Sequence, residues 1–273
     1  MDLLTLTENS DFTVHFSKRV WKLLAIQTLP PHCHLYETDE EALGTTQIAV
    51  AIGGDGTILK AASLLREIKI PLLCINSGKL GFLANIQRQH MKAALEDLMA
   101  EKYTLDRRYF LKAIVSDEIT HFALNEFVFS RSGTVSMITL CAEYNGDFIN
   151  KYWADGIIVS SPTGSTAYNL STGGPIVAPE TEVIVLTPIS PHTLTTRPLV
   201  LPSSNFLTIK VDPADQKVVF SVDGSNHKLP SSNPVVRIKQ SKDYIDLIKV
   251  PDQTYFDTLR NKLMWGADIR ENE

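Results

Sequence analysis

Residues 49–62, AVAIGGDGTILKAA, run from a short apolar stretch into two glycines, an aspartate, a third glycine and a threonine. QIAVAI (47–52) has the length and composition of a buried parallel strand, and from Ile58 to Leu65 the apolar residues cover one broad helical face. A loop that ends a parallel strand and opens a helix is where α/β proteins usually bind ligands. Glycines there permit backbone conformations closed to other residues and close approach of a phosphate, yet a carboxylate repels one. Asp55 or Thr57 can cap the following helix, whose N-terminus favours phosphate. From the loop alone Asp55 is equally readable as a cap or turn residue and as a chemical group.

Working outward, KRVWKLLAIQ (18–27) reads as helix, IPLLCIN (70–76) as a second buried strand, and RQHMKAALEDLMAEK (88–102) as another helix. Alternating strands and helices predict a parallel sheet with right-handed crossovers. After about residue 105 the pattern changes to short β-type runs, among them EFVFS, MITLCAEY, GIIVSS, VIVLT and KVVFSV, and NGD (145–147) is a hairpin signal. YFDTLRNKLMW (255–265) closes the chain as a helix. The expected architecture is an α/β domain over 1–105 and an all-β, sandwich-like domain over 106–273, whose last helix returns toward the first. A cleft between lobes is a common ligand site.

The composition, with 44% hydrophobic and 21% charged residues, is ordinary for a globular protein. A formal charge of −5 argues against a general nucleic-acid binder. Cys33, Cys74 and Cys141 are widely spaced and odd in number, which suits a reducing compartment better than a disulfide framework. The first residues lack the pattern of a secretory signal, and no apolar run is long enough to span a membrane. The expected location is the cytoplasm, with no membrane or nucleic-acid partner.

Several familiar phosphate motifs are missing. The 53–57 loop is neither a Walker A sequence nor a G-x-G-x-x-G fingerprint, and NSGKLG (76–81) has the wrong spacing for either. GST at 164–166 is no G-x-S-x-G elbow, and HCH (32–34) has no complementary ligand cluster. NSGKLGFLAN (76–85) follows the second strand, and two loops at adjacent strand ends line one crevice. DGIIVSSPTGSTAYNLSTGGPI (155–176) is dense in small and hydroxyl residues and reads as poor core material suited to ligand contact. NEF (125–127) puts two polar residues in an apolar strand, either as its solvent face or as a contact. VDGSN (222–226) reads as a hairpin turn.

Together and in this order, GGDGT (53–57), NSGKLGFLA (76–84), NE (125–126), DGIIVSSPTGSTAY (155–168), STGGPIVAP (171–179), PISPHTLTTRPLV (188–200) and DG (223–224) resemble the NAD kinase family. GGDGT alone is shared with lipid kinases, whereas LGFLA and SPTGSTAY are far more specific. The resemblance implies transfer of the ATP γ-phosphoryl group to the 2′-hydroxyl of the adenosine ribose of NAD, giving NADP. It implies an active site between an N-terminal α/β and a C-terminal β-sandwich-like domain, in a homodimer or homotetramer. Magnesium would accompany ATP, and no tightly bound organic cofactor is expected.

By resemblance Asp55 is the general base, Gly53, Gly54, Gly56 and Thr57 form the phosphate loop, and Gly56 and Lys60 contact the substrates. Asn125 and Glu126 would hydrogen-bond the adenosine part of NAD, and Asp155 its nicotinamide end or ribose. Thr163, Thr166, Ala167, Tyr168, Asn169, Leu170 and Ser171 would wrap the dinucleotide. Asn76, Asp223, Ser225 and Asn226 are further candidates. Trp153 departs from the pattern, because relatives often carry Arg or His there. A lipid kinase and a non-catalytic dinucleotide-binding protein are the competing readings.

Overall fold

The computed structural model describes residues 2–8, 12–24, 28–78, 80–84, 86–115, 119–133, 136–212, 218–230, 234–251 and 254–265. The chain divides into two compact units, Met1–Asp106 with Asp246–Glu273, and Arg107–Ile245.

In the first unit the strand Ala49–Ile52 lies parallel to Leu72–Asn76, in register from Ala49 opposite Leu72 to Ile52 opposite Ile75. The helix Asp55–Leu65 connects them and turns Ile58, Ala62 and Leu65 inward, a spacing of four and three residues that keeps one face apolar. Leu72–Asn76 is buried at all five positions, as a parallel strand covered on both faces should be. It also pairs in parallel with Ile86–Gln87, and with Leu247 near the end of the long strand Val235–Lys249.

The second helix expected from the sequence begins as a 3-10 turn, Arg88–His90, and continues as Met91–Met99. Met91, Ala94, Leu95 and Leu98 cover Leu73, Ile75, Ile86 and Ile248. The expected helix over 18–27 is described as Lys18–Leu24, and 25–27 lie outside the described residues. That helix links Val14–Ser17 to Cys33–Tyr36, a separate parallel pair. The helix Tyr255–Leu263 is counted with the first unit. It opens on a capping box: Thr254 accepts the Asp257 N–H at 3.1 Å, and Asp257 accepts the Thr254 N–H at 3.0 Å.

The second unit is β-rich. One of its sheets runs Leu199–Pro202, Val183–Ile189, Gly156–Ser160, Glu126–Arg131, Val218–Val222 and Ser225–His227 in spatial order, antiparallel throughout. The other orders Asp147–Ala154, Ile138–Tyr144, Leu207–Val211 and Val235–Lys249. Inward side chains from both sheets form one core, with Phe127, Phe129 and Phe220 meeting Leu140, Ile209 and Ile238. The NGD hairpin is present, with Asn145 at φ 53° and Gly146 at 91°, the left-handed pair a type I′ turn needs. Asp223 and Gly224, at φ 44° and 81°, make a second such turn between Val218–Val222 and Ser225–His227.

Among the described residues no helix is long and apolar enough to cross a membrane. Cys33, Cys74 and Cys141 are free thiols.

Candidate active site

Asp55 is the first residue of the helix Asp55–Leu65, and it does not cap that helix; Gly54 holds the cap position without any side-chain bond. The carboxylate turns instead to the loop after the neighbouring strand. Its Oδ2 accepts the N–H of Phe82 at 2.9 Å, and its Oδ1 accepts those of Leu83 and Ala84 at 3.1 Å each. The same loop is tied back by Asn76, whose amide donates to the Ala84 carbonyl at 3.0 Å and whose Oδ1 accepts the Gly78 N–H at 2.6 Å. Gly53 donates its N–H to the Ile75 carbonyl at 2.9 Å, joining both loops at the strand ends. Lys79 and Asn85 lie outside the described residues.

A carboxylate offers about four acceptor directions, and the three N–H groups take two on Oδ1 and one on Oδ2. Asp55 keeps 30% of its side-chain exposure, and the Lys262 ammonium stands 3.7 Å from Oδ2. One oxygen is thus fully engaged and the other keeps a free direction.

The glycines do not serve as the sequence suggested. Gly53, Gly54 and Gly56 are absent from the positive-φ residues, so left-handed backbone is not what the loop needs. Gly53 is required by contact, since a Cβ there would meet Thr57 Oγ1 at 2.4 Å, whereas Gly54 and Gly56 face open space. The tightest requirement sits in the other loop. A Cβ on Gly81 would lie 2.0 Å from Asp55 Oδ1, so only glycine lets the carboxylate reach its N–H groups. Lys60 is exposed on the helix and Thr57 is exposed beside it.

In the second unit, Asn125 and Glu126 are buried, so the solvent-face reading of NEF fails. Asp223, read from sequence as a turn residue, accepts the N–H of Leu124 at 2.7 Å, Asn125 at 2.9 Å and Glu126 at 3.0 Å. Burial leaves the Asp223 carboxyl raised, although these three donors pull against it. Glu126 has less help. Burial, and then the Asp223 charge, push it from 4.5 to about 8, against one N–H from Tyr168. Glu126 Oε2 and Asn125 Oδ1 are buried with no hydrogen-bond partner, two orphaned polar atoms in adjacent residues.

The hydroxyl-rich tract corrects the sequence reading more sharply. Ser160, Ser161, Ser165 and Asn169 are buried at 0–1% exposure, so the first half of the tract is core after all. Each polar group meets the chain itself: Ser161 Oγ donates to Leu124 O and accepts Gly164 N–H, and Ser165 Oγ donates to Pro162 O at 2.6 Å. The Asn169 amide bridges the carbonyls of Ser165 and Pro175, while its Oδ1 accepts the Thr187 hydroxyl. Small side chains are needed because the backbones nearly touch; a Cβ on Gly164 would sit 2.2 Å from Asn125 O. The tract thereby fixes the 124–126 turn from one side as Asp223 does from the other.

Thr163 is buried and accepts from Arg108 at 3.4 Å, and Thr166 donates to Thr163 O. Tyr168 is exposed, as is Ser171, with Ala167 and Leu170 half-buried. Asp155 pairs with Arg131 at 2.7 Å, and exposed Trp153 lies against His192 with ring centroids 4.4 Å apart. Asn226 accepts from Ser221, and Ser225 is exposed. Sequence reasoning missed Arg108, Arg131 and Lys262. Lys262 alone left a signal, because it falls three residues after Leu259 and four after Thr258, the buried residues of its helix.

Among the described residues no group of three or more His, Cys, Asp or Glu could hold a metal ion. Asp55 Oδ1 is filled by two N–H donors, and Oδ2 has one N–H and the Lys262 ammonium beside it, surroundings that do not fit a resident cation.

Residues 8–103 match the family model described as the ATP-NAD kinase N-terminal domain, and residues 124–250 match the ATP-NAD kinase C-terminal domain. The chain is 41% identical over 229 residues to an NAD kinase of Flavobacterium psychrophilum, covering 82% of this chain and 78% of that one. It is 40% identical over 236 residues to an NAD kinase of Cytophaga hutchinsonii, covering 85% and 80%. The crystal structure of yeast NADH kinase complexed with NADH matches with a TM-score of 0.89 at 25% identity, over 100% of this chain and 84% of that chain. An NAD kinase from Archaeoglobus fulgidus in complex with ATP matches with a TM-score of 0.71 at 26% identity, over 85% and 88%.

Proposed function

Because the chain belongs to the NAD kinase family, and is therefore a phosphotransferase, we propose that it moves the γ-phosphoryl group of ATP to the adenosine-ribose 2′-hydroxyl of NAD, with Asp55 as general base. The ribose oxygen attacks the γ-phosphorus, the bond to the β–γ bridging oxygen breaks, and NADP and ADP form. Asp55 accepts the hydroxyl proton and releases it to solvent.

The observation that carries this reading is the Asp55 cradle. Three backbone N–H groups hold the carboxylate in one orientation, and the free direction lies on Oδ2, the oxygen with a single N–H partner. A fixed base within reach of its proton contributes on the order of 10²–10⁴ in rate. The rest of the barrier in phosphoryl transfer yields to positioning and electrostatics. Magnesium enters with the nucleotide as the MgATP substrate. Complexes of related kinases with NADH and with ATP support these as the two substrates. Asn125 and Glu126 present unpartnered polar atoms for the adenosine, and Tyr168, Thr163 and Asp155 surround the dinucleotide in this reading. Asn169 acts through the shape of the tract rather than by touching NAD.

The test is formation of NADP from NAD, or of NADPH from NADH, with ATP and magnesium, beside Asp55→Asn. Product from the wild type and its near-loss in a folded variant support the reading. An Asp55→Asn enzyme as fast as wild type would remove the base, and binding of NAD without product would leave a binding protein. The reading includes a cytoplasmic homodimer or homotetramer, which light scattering checks.

A further inference from the structure

Lys262 is exposed, yet its ammonium turns toward Asp55. Helix Tyr255–Leu263 buries Thr258 and Leu259, and Lys262 follows them at the four- and three-residue spacing that puts side chains on one face. A lysine near a helix C-terminus is commonly explained by the helix dipole. Arg260, which pairs with Asp257 on the same helix, already satisfies that explanation. Lys262 does something else. Its Nζ lies 3.7 Å from Asp55 Oδ2 and 4.5 Å from the centroid of the Phe82 ring. The Phe82 N–H donates to that same Oδ2 at 2.9 Å, so one residue supports both the base and the cation. Both charged side chains keep about a third of their exposure, 32% and 30%, which leaves each open to a ligand.

We propose that Lys262 is a further catalytic residue, whose ammonium moves from Asp55 onto the oxygens of the transferred phosphoryl group. The proposal rests on Asp55 being the base. If a hydroxyl gives its proton to Oδ2, that hydroxyl is within hydrogen-bond reach, about 2.6–3.2 Å. The phosphorus it attacks is then about 3 Å further on. The non-bridging phosphoryl oxygens therefore come within the sweep of a four-carbon stem anchored beside Oδ2. Lysine suits this handover because its ammonium carries three donors on a flexible chain. As it leaves it takes a positive charge away from Oδ2, which makes that oxygen a better proton acceptor, and it meets the charge developing on the phosphoryl group. The proton balance is that of the transfer itself, since Lys262 stays protonated throughout.

An ion pair this exposed contributes too little to hold the fold, so its removal leaves a folded protein to assay. The experiment compares wild type, Lys262→Met and Lys262→Arg for kcat, for KM of NAD and ATP, and for Tm. The expected result is a fall in kcat on the order of 10² in Lys262→Met, with KM for NAD and Tm close to wild type. Lys262→Arg recovers most of the loss, because the cation is restored. A Lys262→Met enzyme with wild-type kcat overturns the proposal. So do equal losses in Met and Arg variants, which would make the residue a helix-docking group. Wild-type protein that forms no NADP overturns the kinase mechanism itself, a different outcome from a wild-type enzyme indifferent to position 262.

Discussion

Asp55 and Asp223 use the same device in the two units of the chain. Each precedes a glycine, and each accepts three consecutive backbone N–H groups, from 82–84 in one and from 124–126 in the other. Their fourth neighbours differ. Asp55 is partly open and faces an ammonium, whereas the largest influence on Asp223 is burial, and its neighbour is another carboxyl. A carboxylate tied by three N–H groups is a rigid object; what stands on its remaining side decides whether it works on a ligand or on the fold. Asp55 retains a direction for a proton. Asp223 holds the turn that carries Asn125 and Glu126, and adds to the burial that keeps Glu126 protonated.

The comparison is most exposed to the matched pair Asp55→Asn and Asp223→Asn. In each, an amide replaces one oxygen and turns a donor toward a backbone N–H. Asp55→Asn should lower kcat by about 10³ with a small change in Tm, since water relieves a partly open site. Asp223→Asn should do the reverse, losing about 1–3 kcal/mol of stability and several degrees of Tm, with a raised KM for NAD. Kinetics and thermal melts on both variants decide it. Similar behaviour in both would break the distinction.

Gly81→Ala comes next. The added methyl would lie 2.0 Å from Asp55 Oδ1, so the carboxylate or the 82–84 turn must shift. Displacing a catalytic group by about 1 Å costs on the order of 10² in rate. Wild-type activity in Gly81→Ala would show that the cradle does not need its close contact.

Much of the first unit was legible because parallel strands and amphipathic helices write themselves as local patterns. Ala49–Ile52, Asp55–Leu65 and Leu72–Asn76 each declare their type within a few residues. What stayed hidden depends on partners far along the chain. Nothing near Asp223 says that its carboxylate reaches residues 97 to 99 positions away. The 155–176 tract misled for the same reason: serines that look solvated become core once their hydroxyls find carbonyls such as Leu124 O. Lys262 was visible only as a phase on a helix, without its target.

The finest test of the contrast is Glu126→Gln. Burial and the Asp223 charge raise the Glu126 carboxyl from 4.5 to about 8 in the folded chain. Below about pH 4.5 the group is protonated whether the chain is folded or not, and its contribution is fully present. Between there and about pH 8 the unfolded chain releases the proton and the folded chain keeps it, so stability falls as pH rises. At about 1.4 kcal/mol per unit of pKa, that amounts to a few kcal/mol across the range. Glutamine has no proton to lose, so the Glu126→Gln melting temperature should fall less between pH 5 and pH 8 than wild type, as thermal melts at stepped pH would show. If Asp223 is the neighbour responsible, Asp223→Asn should flatten the wild-type slope as well, despite its lower Tm. Parallel slopes in all three proteins would mean that Glu126 ionises freely and that Asp223 holds only the backbone.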